Sequence, residues 1–106
     1  MDEATIHRIR KFVDDRDWQQ FNTPANLAKS IVIEAAELLE CFQWDEENYD
    51  IQDVSDEIAD VLVYCRNLID ALGLDEDLII NRKMDKNEEK YPVDKSKGNS
   101  LKYDKL

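Results

Sequence analysis

The sequence contains very little glycine and proline, with two of each among 106 residues. Turn-rich β-sandwiches and barrels need both residues at regular intervals, because tight turns require a positive or a fixed φ angle. This scarcity therefore argues against an all-β architecture. Apolar residues make up 42% of the chain, which lies within the range of globular proteins, and the length predicts a single domain.

Cysteines and long apolar segments are scarce as well. The two cysteines, Cys41 and Cys65, match no zinc-binding spacing and cannot build a disulfide framework. We interpret them as reduced, buried thiols of a cytoplasmic protein. The N-terminus lacks the apolar core of a signal peptide. No apolar run is long enough to cross a bilayer, so the sequence predicts no membrane partner.

Basic residues are outnumbered by acidic ones, 14 against 25, which gives a net charge of −11. Such a surface repels the phosphates of nucleic acids and anionic membranes, so no nucleic acid polymer is expected as a partner. Carboxylates are the ligands that hard divalent cations prefer, and a bound cation can recruit a phosphate. The charge is therefore compatible with phosphate binding through a metal ion.

Apolar residues recur at helical spacing in four segments. The first predicted helix runs from about Glu3 to Asp15. The second starts at Pro24 with Thr23 as its N-cap, because proline fits the first helical position, where its missing N–H costs nothing. It is expected to continue through Phe42.

The third predicted helix has the clearest periodicity, and Gly73 follows it as a helix-ending residue. Its apolar stripe, interpreted as core, consists of Val54, Ile58, Val61, Cys65, Leu68 and Leu72. The fourth begins at the candidate N-cap Asp75 and ends before Pro92. Short connections favour antiparallel neighbours. We therefore predict an all-α fold, a compact antiparallel four-helix bundle over residues 1–92, with a Lys-rich tail without regular structure over residues 93–106.

Two acidic pairs interrupt the apolar runs. Glu34 and Glu37 on the second helix, and Glu57 and Asp60 on the third, are each three residues apart and therefore share a helix face. Nineteen residues separate Glu37 from Glu57, enough to turn into an antiparallel helix, so both pairs can converge. Four adjacent carboxylates repel one another. Mg²⁺ would relieve this repulsion and keep coordination positions open for a phosphate.

Simpler interpretations exist for each of these residues. Any single acidic pair fits a solvated helix face; two pairs among small and β-branched apolar residues favour a metal site. Trp18 and Trp44, at predicted helix boundaries, are either lids over the end of a bundle or stacking surfaces for a base. Tyr64 is either an ordinary half-buried tyrosine or a hydroxyl near the metal. Lys83 and Lys90 share a face that is either solvated or binds phosphate.

Several blocks of sequence, in this order, resemble the MazG-like all-α nucleotide pyrophosphohydrolases. They are Arg16–Phe21 (RDWQQF), Ile33–Leu38 (IEAAEL), Phe42–Trp44 (FQW), Asp56–Leu62 (DEIADVL) and Lys83–Asn87 (KMDKN). The closest likeness is to the dCTP pyrophosphatase branch, which the pairs Lys90-Tyr91 and Lys102-Tyr103 also resemble. The resemblance covers nearly the whole chain.

The resemblance implies a role for each candidate residue. It implies that Mg²⁺ is bound by Glu34, Glu37, Glu57 and Asp60, and that bases are recognised by Trp18, Trp44 and Tyr64. It implies phosphate contacts from Lys83, Asn87 and Lys90, with Tyr91 nearby. Such enzymes are usually homodimers or homotetramers with sites at subunit contacts, so the tail is expected to reach a neighbouring subunit. Either Glu34 or Glu37 would activate the water.

The expected function is Mg²⁺-dependent cleavage of a (deoxy)nucleoside triphosphate, dCTP or a related pyrimidine nucleotide, to monophosphate and pyrophosphate. Ile9 stands where some similar dCTP-cleaving enzymes carry a histidine, so broad-specificity, dUTP-directed and phosphoribosyl-nucleotide cleavage stay open. Two alternatives lie outside the enzyme class. One is a non-catalytic acidic helical adaptor for a basic partner, and the other is a regulator that binds a divalent ion without hydrolysis.

Overall fold

The computed structural model describes residues 1–106 and contains α-helices without any strand. The α-helices are α1 (Glu3–Asp15), α2 (Pro24–Glu40), α3 (Ile51–Ala71), α4 (Glu76–Lys90) and α5 (Val93–Ser96), with short 3₁₀ helices at Trp18–Gln20 and Tyr103–Lys105. The predicted all-α fold is confirmed. None of the helices has the combined length and apolar character that a membrane span requires. The chain forms two compact units, Met1–Leu74 and Asp75–Leu106.

The four longer helices each begin at a side chain that accepts a hydrogen bond from a backbone amide of the first turn. These amides have no partner within the helix, so a capping oxygen stabilises each start. Thr23 Oγ1 accepts from the Asn26 amide at 3.2 Å, and Asp75 Oδ1 accepts from the Leu78 amide at 2.9 Å. The predicted caps Thr23 and Asp75 are therefore confirmed, with Pro24 at the first helical position.

The predicted helix ends are only partly correct. Gly73 follows α3 with φ 64°, and the Leu74 amide donates to the Ile69 carbonyl at 3.0 Å, which closes the helix as expected for a left-handed residue. The prediction that the second helix reaches Phe42 was wrong by two residues, because the last turn closes into short-range hydrogen bonds after Glu40. The tail is also more regular than predicted, since it contains α5 and a 3₁₀ helix.

Helices α2 and α3 form an antiparallel hairpin in the first unit. Asp53, near the start of α3, is close enough to Cys41, just after α2, for its charge to raise the pKa of that thiol. Asp60, two turns later in α3, raises the pKa of Glu34, two turns earlier in α2, in the same way. The two helices therefore run in opposite directions. This direction follows from the short connection of residues 41–50, which leaves room for a turn but not for a crossover.

The hydrophobic core of the single chain is small. Its buried apolar side chains are Ile6, Val13, Leu27 and Val54. The prediction that the whole α3 stripe is core was therefore wrong: Val54 is buried, but Ile58 is 44% exposed and Leu72 is 51% exposed. The reason is that α2 and α1 cover only part of α3 within the unit Met1–Leu74, so part of the apolar stripe stays exposed.

Asp70 links α1 to the C-terminal part of α3. The Arg10 guanidinium donates to it twice, from Nε at 3.0 Å and from Nη2 at 2.9 Å, and Arg66 Nη2 donates at 2.6 Å. Arg66 is only 5% exposed. The hydrogen bond from Arg10, together with the bond and charge of Arg66, holds the pKa of Asp70 below its usual range. This carboxylate therefore stabilises a buried cation and a helix contact at the same time.

We predict that Asp70→Asn lowers the free energy of unfolding by about 2 kcal/mol, because it removes a negative charge that compensates the buried Arg66 guanidinium. Urea denaturation followed by circular dichroism measures the change. Asp15→Asn is the matched control, since it breaks the exposed Lys11–Asp15 ion pair of 2.6 Å, and should cost less than about 0.5 kcal/mol. Equal effects of the two substitutions would contradict this role of Asp70.

Candidate active site

Three glutamates meet in the middle of the α2–α3 hairpin. Glu34 and Glu37 lie on one face of α2 because they are three residues apart, and the antiparallel hairpin brings Glu57 of α3 opposite them. Each offers a carboxylate oxygen, and these three atoms all lie within 4.8 Å of one another. This spacing is small enough for one cation to contact all three side chains.

Asp60, the fourth carboxylate of the predicted set, lies beside this group. It is one turn from Glu57 on the same face of α3, and its charge raises the pKa of both Glu34 and Glu57. The three glutamates form the tight cluster without it. The structure thus brings three of the four predicted ligands together and places the fourth next to them.

The cluster has no cationic side chain to compensate it. Glu34 Oε2 and Glu57 Oε2 are buried and have no hydrogen-bond partner. Burial, followed by the adjacent carboxyl group and charge of Glu37 and the charges of Asp60 and Glu57, raises the pKa of Glu34 to about 7. Burial and the neighbouring Glu37 also raise the pKa of Glu57. Buried carboxylates of this kind are costly unless a proton or a cation compensates them.

The residues present fit a divalent cation. All of the donor atoms are carboxylate oxygens, which is the donor chemistry that Mg²⁺, Mn²⁺ and Ca²⁺ prefer over softer metals. The two orphaned oxygens of Glu34 and Glu57 are the atoms that lack a positive partner. A cation shared by the cluster would give them one and would compensate the negative charge whose burial and mutual repulsion raise both pKa values.

One face of α3 leads from this cluster to a cleft in the same unit. Glu57, Asp60, Tyr64, Asn67 and Ala71 follow one another at intervals of three and four, so they form a single stripe along the helix. The cleft has a volume of about 550 Å³ and is lined by Arg10, Val13, Asp14, Gln19, Asn22, Pro24, Asn67, Asp70 and Ala71. Seven residues of helix, roughly 10 Å, separate Asp60 from Asn67.

Sequence reasoning missed this cleft and the amide side chains that line it. Gln19, Asn22 and Asn67 come from three separate elements, so no local pattern joins them. One pattern in the sequence could have predicted Asn67. It lies three residues after Tyr64, on the same face of α3 as Glu57. Tyr64 itself is half-buried between the acidic cluster and the cleft.

The two tryptophans are not brought together within one chain. Trp18 lies in the 3₁₀ helix after α1 and packs edge-to-face on Phe12, with ring centroids 5.6 Å apart. Trp44 lies in the connection after α2 and is 89% exposed. The 17 residues of α2, a length of about 25 Å, separate the ends at which these two rings lie. The structure therefore does not place the two predicted stacking rings side by side.

The predicted phosphate contacts all lie in the second unit, Asp75–Leu106. Lys83, Asn87 and Lys90 follow one another at intervals of four and three along α4 and so occupy one face. Within this unit neither lysine forms an ion pair. Asn87 is half-buried, with its amide 3.8 Å from the sulfur of Met84. Tyr91 is the C-cap that follows α4, and its amide donates to the Asn87 carbonyl at 2.9 Å.

Known proteins share both the sequence and the fold. A model of the MazG-like family matches residues 29–106. The chain is 34% identical to dCTP pyrophosphatase 1 of Mus musculus and 36% identical to that of Bos taurus, over 98% of this chain and 69% of each relative. The crystal structure of a pyrophosphatase from Archaeoglobus fulgidus superposes with a TM-score of 0.75 and 42% identity, over 85% of this chain and 91% of that one.

We predict that the metal-free protein becomes less stable as the pH rises from about 5 to 8. The folded state holds a proton on Glu34 up to a pKa of about 7, whereas the unfolded chain releases it near 4.5. The folded state therefore binds more protons between these values, and its stability falls as the pH rises through them. Mg²⁺ should raise the melting temperature more at pH 8 than at pH 5, because protons compete for the same oxygens.

Differential scanning calorimetry with EDTA and with Mg²⁺ measures both effects. Glu34→Gln should flatten the pH dependence of the metal-free protein. The control Glu46→Gln changes an exposed glutamate in the α2–α3 connection and should leave that dependence unchanged. Asp70 does not interfere, since its lowered pKa confines its titration to more acidic solutions. A melting temperature that rises between pH 5 and 8 without metal would contradict the repulsion described here.

Proposed function

The chain belongs to the MazG-like family and is a nucleoside triphosphate pyrophosphohydrolase, and we propose that it hydrolyses dCTP or a close pyrimidine relative with Mg²⁺. The products would be the nucleoside monophosphate and pyrophosphate. The observation that carries this proposal is the cluster of Glu34, Glu37 and Glu57, in which two buried oxygens have no partner. The relatives named dCTP pyrophosphatase 1 support the choice of substrate.

Four carboxylates would hold the metal: Glu34, Glu37, Glu57 and Asp60. When bound, Mg²⁺ supplies positive charge to phosphate oxygens and acidifies a water. Glu34 or Glu37, on one face of α2, would accept the proton of the water that attacks the α-phosphorus. The bond from that phosphorus to the bridging oxygen breaks, and pyrophosphate leaves. Lys83 and Lys90 would bind the β- and γ-phosphates as point charges, with Asn87 donating from the same face of α4.

The cleft beside Asn67 is the proposed binding site for the base. Tyr64 lies between this cleft and the acidic cluster on one face of α3, so a nucleotide would extend along that face. The amides of Asn22 and Asn67 line the cleft and supply both donors and acceptors for the edge of a pyrimidine. An amide can turn either its donor or its acceptor toward the base, so these side chains can also pair with uracil or with other bases. A dUTP-directed or broad-specificity enzyme is therefore the second candidate.

We propose that the chain works as a homodimer or homotetramer. A single chain buries few apolar side chains, while Val32, Ile33, Leu39 and Leu62 on α2 and α3 are more than half exposed. Burial of such a face between copies would supply the core that one chain lacks. It would also let Trp44 of one copy approach a base bound beside Trp18 of another.

The Lys-rich residues 93–106 are proposed to pack on a neighbouring copy, with residues 1–92 as the enzyme domain. Acidic and basic residues balance in 75–106, so residues 1–74 carry the whole net charge of −11. The lysines of the tail would therefore meet an acidic surface. The same charge disfavours nucleic acid polymers and anionic membranes as partners. The free thiols of Cys41 and Cys65 support a cytoplasmic location.

We predict that the purified protein with Mg²⁺ releases pyrophosphate, and not orthophosphate, from dCTP. Glu37→Ala and Asp60→Ala should each lower kcat by about a hundredfold or more, because each removes a carboxylate that holds the metal or orients the water. Coupled detection of pyrophosphate measures both. Glu46→Ala, in the exposed connection, is the control and should keep wild-type turnover.

A panel of dCTP, dUTP, dTTP, dATP and CTP then separates the candidate functions. We expect the highest kcat/KM for dCTP. Equal kcat/KM for dUTP or for the purine would favour the second candidate. Mg²⁺ binding without any pyrophosphate release would identify a regulator, and wild-type turnover by Glu37→Ala would refute the assigned site.

A further inference from the structure

The C-terminal segment returns to the end of α4 and meets Lys90. Lys90 is the last residue of that helix, and its Nζ lies 4.9 Å from the centroid of the Tyr103 ring. Tyr91 meets the same ring edge-on, with centroids 6.3 Å apart and an angle of 87° between the planes. All three residues belong to the second compact unit. The ammonium of a lysine that is proposed to bind phosphate thus faces one aromatic ring, which packs on a second.

Local interactions cause this return of the chain. Pro92 ends the helical path of α4 and starts α5. Gly98 then adopts a φ of 84°, which other residues rarely adopt. The side chain of Asn99 accepts a hydrogen bond from the Leu101 amide at 3.0 Å. These features direct the following residues back toward Tyr91. Tyr103, the first residue of the 3₁₀ helix at Tyr103–Lys105, therefore places its ring against Lys90.

The chemistry of this contact suits a lysine that must bind an anion. In a chain with 25 acidic residues, a carboxylate would be the ordinary partner for Lys90, but it would neutralise the ammonium charge. An aromatic ring attracts the cation through its quadrupole and leaves the full positive charge on it. The N–H groups that point away from the ring stay available as donors. A held lysine also loses less freedom when phosphate binds.

We propose that Tyr103 is a positioning residue, whose ring holds the Lys90 ammonium ready for the pyrophosphate portion of the substrate. Tyr91 supports the Tyr103 ring from its edge. The C-terminal segment thereby contributes to substrate affinity through Lys90 and without touching the reacting atoms. This inference rests on the proposed function, because it takes Lys90 as a phosphate contact.

The direct test compares Tyr103→Leu with Tyr103→Phe. Tyr103→Leu removes the ring and should raise both the KM for dCTP and the Kd for pyrophosphate with Mg²⁺ by about two- to fivefold, the worth of a surface cation–π pair. The value of kcat should not change, because the proposed role of Tyr103 is to hold Lys90 and not to act on the reacting atoms. Tyr103→Phe keeps the ring and should behave as the wild type. Calorimetric titration with pyrophosphate gives Kd without requiring turnover.

A double-mutant cycle separates positioning from a merely structural role. In the Lys90→Ala background, Tyr103→Leu should cause no further rise in the Kd for pyrophosphate, because the ring acts only through that lysine. An additive rise, a wild-type Kd for Tyr103→Leu, or equal damage by Tyr103→Phe would each overturn the inference. If the wild type releases no pyrophosphate but this pattern of Kd values holds, the proposed catalysis fails while the role of Tyr103 stands.

Discussion

Repulsion among the carboxylates of Glu34, Glu37 and Glu57 is the constraint on which the other features of the first unit depend. The antiparallel hairpin forces these groups to within 4.8 Å of one another, and two of their oxygens are buried without a partner. Asp70, in the same unit, differs from these glutamates because Arg10 and Arg66 form ion pairs with it. The acidic cluster therefore favours the binding of a cation, and such binding would stabilise the folded state.

The distribution of charge along the chain matches a reaction between an acidic protein and an anionic substrate. The first unit holds all of the excess negative charge, and residues 75–106 contain eight of the 14 basic residues. A triphosphate approaching the first unit alone would be repelled. A divalent cation shared by the carboxylates would offset part of that local charge and offer open coordination positions to a phosphate, while the face of α4 with Lys83 and Lys90 offers positive charge that no carboxylate of its own unit neutralises. The contact of Lys90 with the Tyr103 ring leaves the positive charge of that lysine without a neutralising carboxylate.

Local signals made part of this structure predictable from the sequence. The cap at Thr23, the left-handed Gly73 and the spacing of the glutamate pairs depend only on neighbours in the chain, and they were anticipated. The exposure of Ile58 was not, because burial depends on what packs against a helix, and periodicity alone does not reveal whether that partner is the same chain. Asn67 joins amides from distant elements, and Tyr103 reaches Lys90 only through a turn at Gly98, so neither had a local signature.

Titration with Mn²⁺ as a paramagnetic substitute for Mg²⁺, followed by electron paramagnetic resonance, tests most directly whether the glutamates share a cation. Glu57→Gln removes one charge from α3 while preserving the shape of the side chain, and Glu46→Gln makes the same change in the exposed connection. We predict that Glu57→Gln weakens Mn²⁺ binding by at least about tenfold, the loss typical of a disturbed metal site, and that Glu46→Gln leaves it unchanged. Equal Mn²⁺ affinity for both variants and the wild type would contradict the account.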